Sequence, residues 1–246
     1  MFKNRFIKVL IAASIIILAI IGCQKKQAEK NKLYIGTNAE FEPFEYREGD
    51  KIVGFDVDLI TEISKLIGVE IEFVDMKFDG LLPALESKKI DIIVAGMTAT
   101  DERRKFVNFS DPYYNSKQAM LVYSNNQDIT YFTNLSGKKV GVVLGYTGDL
   151  LVSELPNVDI QKFNAASETV IALKAQKVDA VVLDYEPAKN YAAQNPELKL
   201  VETDSATEEY AIAMRKDDNE LLAKVNEALQ TLKDNGTYDA LLEKYF

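Results

Sequence analysis

Apolar positions along the chain fall into short runs separated by longer stretches of helical spacing. Leu33-Tyr34-Ile35-Gly36 is a short β-like run, and a Pro-containing aromatic loop from Asn38 to Tyr46 follows it. Between Phe55 and Gly68, the residues Val57, Leu59, Ile60, Ile63, Leu66 and Ile67 recur at helical spacing, with a closing glycine of the kind that often ends a helix. Ile71 to Val74 predicts a strand, Gly80 to Lys88 a helix, and Ile90 to Val94 a buried strand. Strand and helix in alternation are the pattern of an α/β domain with a largely parallel sheet.

A second unit opens at Lys139-Val140-Gly141-Val142-Val143, a strand that runs into the loop Gly145-Tyr146-Thr147-Gly148. Ala172 to Val182 echoes Ala84 to Val94: Ala-Leu, a lysine, a β-branched residue, an aspartate and an apolar strand recur in the same order. Two α/β lobes built alike would produce this echo, and so would any amphipathic helix followed by a buried strand. Asn219 to Asp234 places Leu221, Leu222, Val225, Ala228, Leu229 and Leu232 on one face. Asp218-Asn219 before it and Asn235-Gly236 after it make it a capped packing helix, read as the last element.

The start of the chain differs from the rest. Lys3, Arg5 and Lys8 precede a nearly unbroken apolar stretch from Val9 to Gly22, and then come Cys23 and a polar run. A basic start, a short apolar centre and a small residue at the break describe a secretory signal, because the stretch is shorter than the roughly 20 residues a membrane span needs. Ile20-Ile21-Gly22-Cys23 resembles a lipobox, which implies cleavage before Cys23 and a lipid on its sulfur, palmitate among its acyl chains. Cys23 is the single cysteine, so a structural disulfide has no second partner in the chain. Residues 1–22 are thus read as signal peptide and 23–32 as a linker after the anchor, leaving the protein membrane-anchored on the extracytoplasmic face, in the periplasm or at the cell surface.

Charge and composition then exclude several functions. The whole chain carries a formal charge of −9, and loss of the basic start makes the remainder more acidic still. Such a domain is repelled by nucleic acid. There is no histidine, which removes the commonest general base and the commonest transition-metal ligand. No cofactor and no metal site are expected.

In open α/β sheets, ligands settle beyond the carboxyl ends of the strands. Those points hold Asn38, Phe41 and Phe44; Gly96, Thr98, Thr100, Asp101 and Arg103; Thr147 and Gly148; and Asp184. One arginine, aspartates, hydroxyls and aromatic faces suit a zwitterion, since a guanidinium grips a carboxylate with two parallel hydrogen bonds. An ammonium group needs acceptors, which Asp184 and the Gly96 carbonyl can supply. Plainer roles exist for each. Arg103 lies in the charged run Asp101 to Lys105, which alone reads as a solvated first turn, and Asp184 could simply cap the turn after it. Phe41 and Phe78 would ordinarily be core residues, and Met97 and Tyr146 either line the pocket or pack around it.

Six collinear motifs sharpen this reading: Gly36 to Tyr46, Gly54 to Leu59, Phe78 to Leu85, Ala95 to Arg103, Phe109 to Tyr114, and Asn235 to Tyr238. Together they resemble the polar amino-acid receptors of ABC importers, family 3 solute-binding proteins, from about Leu33 to the end. The resemblance implies a two-lobed periplasmic-binding-protein fold of type II, each lobe a mostly parallel sheet flanked by helices. Lobe 1 would comprise residues 33–115 and 212–246, and lobe 2 residues 116–211, with crossings near Tyr114 to Gln118 and Glu209 to Ala213. Arg103 would bind the ligand carboxylate with Thr98, Thr147 and Gly148. Asp184 and the Gly96 carbonyl would take the ammonium, and Phe41 and Phe78 would sandwich the side chain beside Asn38 and Met97. The implied function is a monomeric binding component, not an enzyme, that captures a free L-α-amino acid by hinge closure and delivers it to a membrane permease.

Departures from the pattern bear on the ligand. Several such receptors have aspartate where Asn38 stands, and the glutamine receptor has lysine and histidine where Leu144 and Leu183 stand. These changes point to a neutral polar, glutamine-like amino acid. A basic amino acid (lysine or arginine) or cystine remains the alternative, and a periplasmic dehydratase on the same scaffold a remote one, for which Glu40, Glu42 and Glu186 are the available acids.

Overall fold

The computed structural model describes residues 32–246, so the expected signal segment and Cys23 lie outside the described residues. In chain order the strands are β1 (Lys32–Thr37), β2 (Glu40–Phe41), β3 (Glu45–Glu48), β4 (Lys51–Val53), β5 (Glu70–Asp75), β6 (Ile92–Ile93), β7 (Val107–Phe109) and β8 (Tyr114–Ser116). They continue as β9 (Gln118–Tyr123), β10 (Lys139–Val143), β11 (Asp159–Phe163), β12 (Ala180–Asp184), β13 (Leu198–Glu202), β14 (Glu208–Tyr210) and β15 (Ala213–Arg215). The helices are α1 (Phe55–Ile67), α2 (Leu81–Glu86), α3 (Asp101–Arg104), α4 (Thr147–Ser153), α5 (Ala166–Lys174), α6 (Tyr185–Gln194), α7 (Asn219–Asp234) and α8 (Thr237–Tyr245).

Two five-stranded sheets carry the fold, in the orders β5-β1-β6-β15-β7 and β11-β10-β12-β9-β13. The two orders are equivalent. In each sheet the first three strands are parallel, and the remaining joins are antiparallel. Four of the five strands in each sheet thus run the same way, as expected of a mostly parallel sheet, and only β15 and β9 are reversed. Between the lobes, β8 and β14 pair antiparallel, with Tyr114 opposite Tyr210 and Ser116 opposite Glu208.

The sequence echo has a physical basis. In the first lobe the Asp91 carboxylate accepts from the Tyr34 amide at 3.0 Å, while the Asp91 amide donates to the Tyr34 carbonyl at 2.8 Å. In the second, Asp179 does the same with Lys139, at 2.8 and 2.7 Å. Each aspartate ties the start of one parallel strand to the turn that feeds its neighbour. The turns match as well, since Lys88 and Gln176 both take a positive φ, at 61° and 55°. The echo thus records two lobes closed by the same lock.

Predicted bounds agree at α1, which Gly68 closes, at β10 and at α7, and shift elsewhere. The buried run Ile90 to Val94 supplies ladder pairing only at Ile92 and Ile93, because Asp91 is spent on the lock. The helix expected over Gly80 to Lys88 is a 3-10 turn at Phe78–Gly80 followed by α2, and it ends before the left-handed Lys88. Leu66, placed on the apolar face of α1, is 49% exposed. The helix α7 is not the last element: Gly236, at φ 80°, turns the chain into α8. Nor does Asp218 cap α7 with its side chain, which instead pairs with Arg215 at 2.7 Å.

The two locks differ in surroundings, and this yields a test. Asp91 is buried and also faces the Arg215 guanidinium at 3.3 Å, whereas Asp179 is exposed. Asp91→Ala should cost on the order of 1–3 kcal/mol, because it removes a buried carboxylate that accepts from the part-buried Tyr34 amide and takes one partner from the Arg215 guanidinium, which keeps Asp218 and the Ile90 carbonyl. Asp179→Ala should cost about 1 kcal/mol or less, since water can replace the carboxylate. Urea unfolding of both variants measures the difference.

Candidate functional site: an enclosure between the two lobes

The strand ends predicted to carry chemistry converge. Phe41, Phe78, Ala95, Gly96, Thr98, Arg103, Tyr146, Thr147 and Asp184 line one small cavity of about 10 Å³. Asn38, Met97 and Gly148 are not on its wall. Asn38 is buried beside it, donating to the Met76 carbonyl at 3.1 Å and accepting from the Tyr146 hydroxyl at 2.8 Å. Met97 packs in the core and gives its carbonyl to the Ala211 amide at 3.1 Å. Gly148 lies against the second sheet, where an added Cβ would meet Gln118 Oε1 at 2.9 Å.

Arg103 is held by its local structure. The Thr100 hydroxyl accepts from the Arg103 amide at 3.2 Å and so caps the first turn of α3, which fixes where the side chain leaves the backbone. Its guanidinium then reaches inward. It donates to the Thr98 carbonyl at 2.7 Å and, across the divide between lobes, to the Gly145 carbonyl at 2.9 Å, and it lies 5.2 Å from the Phe78 ring centroid. Only 6% of the residue is exposed, so the reading as a solvated helix turn fails. Burial pulls the guanidinium down to about 10, although the negative charges of Asp184 and Glu208 resist.

Asp184, the last residue of β12, does not cap α6 with its side chain. Its carboxylate accepts from the Tyr210 hydroxyl at 2.7 Å. Burial and the neighbouring Glu208 charge push it up to about 7, while the hydrogen bonds from Tyr210 and Gln118 hold it down. An ammonium group placed beside it would favour the ionised form.

Gly96 has a special backbone, with φ at 50°, and an added Cβ would stand 2.5 Å from the Phe41 ring. Its amide donates to Asp56 at 2.8 Å, and the same Asp56 oxygen accepts from the Tyr113 hydroxyl at 2.7 Å. Behind Asp56 lies Glu45, fully buried, whose two oxygens meet no other donor. Burial, with Asp56 beside it, drives the Glu45 carboxyl well above the usual range, and Asp56 itself is raised to about 6. Two carboxyls so close together in a buried place disfavour the ionisation of both at once.

Aromatic rings form the remaining wall. Tyr146 sits 4.7 Å from Phe78 and 5.5 Å, edge on, from Phe41. The list drawn from sequence omitted Glu208, whose Oε2 accepts from the Thr98 and Thr147 hydroxyls at 2.8 and 2.7 Å, one from each lobe. Among the described residues no cluster of histidine, cysteine, aspartate or glutamate has the makings of a metal site, and no helix is long and apolar enough to cross a membrane.

Two sheet-bearing lobes with matched topology, joined by paired strands and closing on charged and aromatic groups, define a solute-binding architecture. Residues 33–246 match the bacterial extracellular solute-binding proteins, family 3, and the chain belongs to that family. It is 39% identical over 240 residues to a "Probable histidine-binding protein" of Campylobacter jejuni, with 93% of each chain covered. It is also 39% identical over 247 residues to the arginine-binding extracellular protein ArtP of Bacillus subtilis, with 96% of each covered. Among solved structures, an ancestral arginine-binding protein bound to arginine superposes with a TM-score of 0.86 at 47% identity, covering 88% of this chain and 99% of that one. The fold is the type II periplasmic-binding-protein fold, and these relatives are binding proteins rather than enzymes.

The Gly96 geometry predicts that Gly96→Ala lowers stability by about 1–3 kcal/mol, because strained φ and the Phe41 contact add. Thermal unfolding beside the wild type gives the measurement.

Proposed function

We propose that this protein is the extracytoplasmic binding component of an amino-acid ABC importer and that it captures a basic L-α-amino acid between its lobes. The observation that carries the reading is the meeting of Arg103 and Asp184, opposite in charge and from opposite lobes, on the wall of one enclosure. Arg103 would take the carboxylate with Thr98 and Thr147. Asp184 and the Gly96 carbonyl would take the ammonium, and Phe41, Phe78 and Tyr146 would enclose the side chain.

A cavity of about 10 Å³ has room for no more than about one water molecule. Entry of an amino acid therefore requires the sheets to part, and β8 and β14 are the paired strands about which that hinge motion would run. Lobe 1 would then be 33–115 with 212–246, and lobe 2 would be 116–211.

The neutral, glutamine-like ligand expected from Asn38 gives way here to the alternative. The relatives named for arginine and histidine support a basic ligand. The inference from Asn38 also gave that position too much weight, because both polar atoms of its side chain already have protein partners.

Titration calorimetry of the domain against the amino acids tests the proposal: arginine, lysine or histidine should release heat with the tightest binding, and an absence of heat and thermal shift with every amino acid would refute it. Arg103→Ala should weaken binding by an estimated 2–5 kcal/mol, or about 30- to 4000-fold. A loss under about threefold would place the carboxylate elsewhere.

The resemblance of Ile20 to Cys23 to a lipobox supports a lipid anchor on Cys23. Labelled palmitate should enter the wild-type protein in cells and fail to enter Cys23→Ser, which should also leave the membrane fraction; equal labelling of both would remove the anchor from the account.

A further inference from the structure

Glu208 is the first residue of β14 and belongs to neither large sheet. One of its oxygens receives the Thr98 hydroxyl from the first lobe and the Thr147 hydroxyl from the second, and both threonines are buried. Thr147 Oγ1 in turn accepts from Gln118 Nε2 at 3.0 Å, so the hydroxyl proton is committed to Glu208. The carboxylate is thereby fixed where the lobes meet.

Charges at this place do not balance. Arg103 is the one cation on the cavity wall, and it faces Asp184 as well as the Glu208 carboxylate. An amino-acid head group brings one charge of each sign. Its carboxylate answers Arg103 and its ammonium answers Asp184, which leaves Glu208 without an opposite. Two threonine hydroxyls, the water that reaches this half-buried residue and the already shared Arg103 offset the excess only in part. A cationic side chain on the ligand supplies the missing charge, and a neutral one does not.

We infer that Glu208 sets the preference of this cleft for a ligand of net positive charge, acting through its field and its hold on both threonines rather than by touching the ligand side chain. The inference rests on the reading of the cleft as an amino-acid site. It also gives a basic specificity a source other than the position of Asn38.

Arginine and citrulline are nearly the same shape and differ by the charge of the guanidinium, so their affinity ratio isolates the effect. Glu208→Gln keeps an oxygen that can accept both hydroxyls and removes only the charge. Calorimetry with both ligands on the wild type and on Glu208→Gln should show a preference for arginine that shrinks by about tenfold or more in the variant. A ratio unchanged within about threefold would make Glu208 a hydroxyl acceptor only and overturn the proposal. Should Glu208→Gln fail to fold, the wild type alone carries the test: a preference for arginine over citrulline under about threefold would overturn the idea. A wild type that prefers citrulline sinks this inference while leaving the amino-acid site intact; one that binds no amino acid sinks both.

Discussion

A guanidinium buried between two sheets is the constraint around which the rest is arranged. Arg103 is expensive to bury, and its retained charge depends on the carbonyls of Thr98 and Gly145 and on the carboxylates of Asp184 and Glu208. Those groups come from both lobes and from the strand between them. The Thr100 cap directs the side chain inward, and the glycine at position 145, with φ at 81°, turns its carbonyl to meet it. Remove the second lobe from this arrangement and the guanidinium would face solvent on one side.

Burial of charge spreads through neighbouring layers. Asp184 is raised by its surroundings and leans on Tyr210, while the Glu45 and Asp56 pair behind Gly96 fixes the backbone that faces the cavity. Acidic groups outnumber the cation in this region. Under the proposed reading, that surplus would make a positively charged guest a better complement than a neutral one.

Much of this was readable in the sequence, and what escaped did so for definite reasons. Strand β10 and helix α7 have clean hydrophobic periods and glycine or asparagine at their ends, so their bounds agree. The run at Ile90 to Val94 was equally apolar, yet apolarity reports burial and not ladder pairing; Asp91 interrupts it for the lock. Gly96, Thr98, Arg103, Thr147 and Asp184 were found because they follow strands whose carboxyl ends face the cleft. Glu208 follows no such rule. It lies on an antiparallel linking strand beside Glu209, and two adjacent acids at a crossing read as solvated surface; only the lengths of Thr98 and Thr147, reaching from opposite lobes, reveal it.

The joint between the lobes is unusually rich in rings. Tyr114 stacks on Tyr210 and on Phe246, Phe44 meets both tyrosines edge on, and Tyr146 lines the cavity. The chain has no tryptophan among its residues. Ultraviolet emission from this protein therefore comes from tyrosine without an indole to collect or mask it, and the phenols at the joint would change their neighbours if the lobes parted as proposed. Such an opening would then be followed through the protein's own phenols, with no dye and no engineered label.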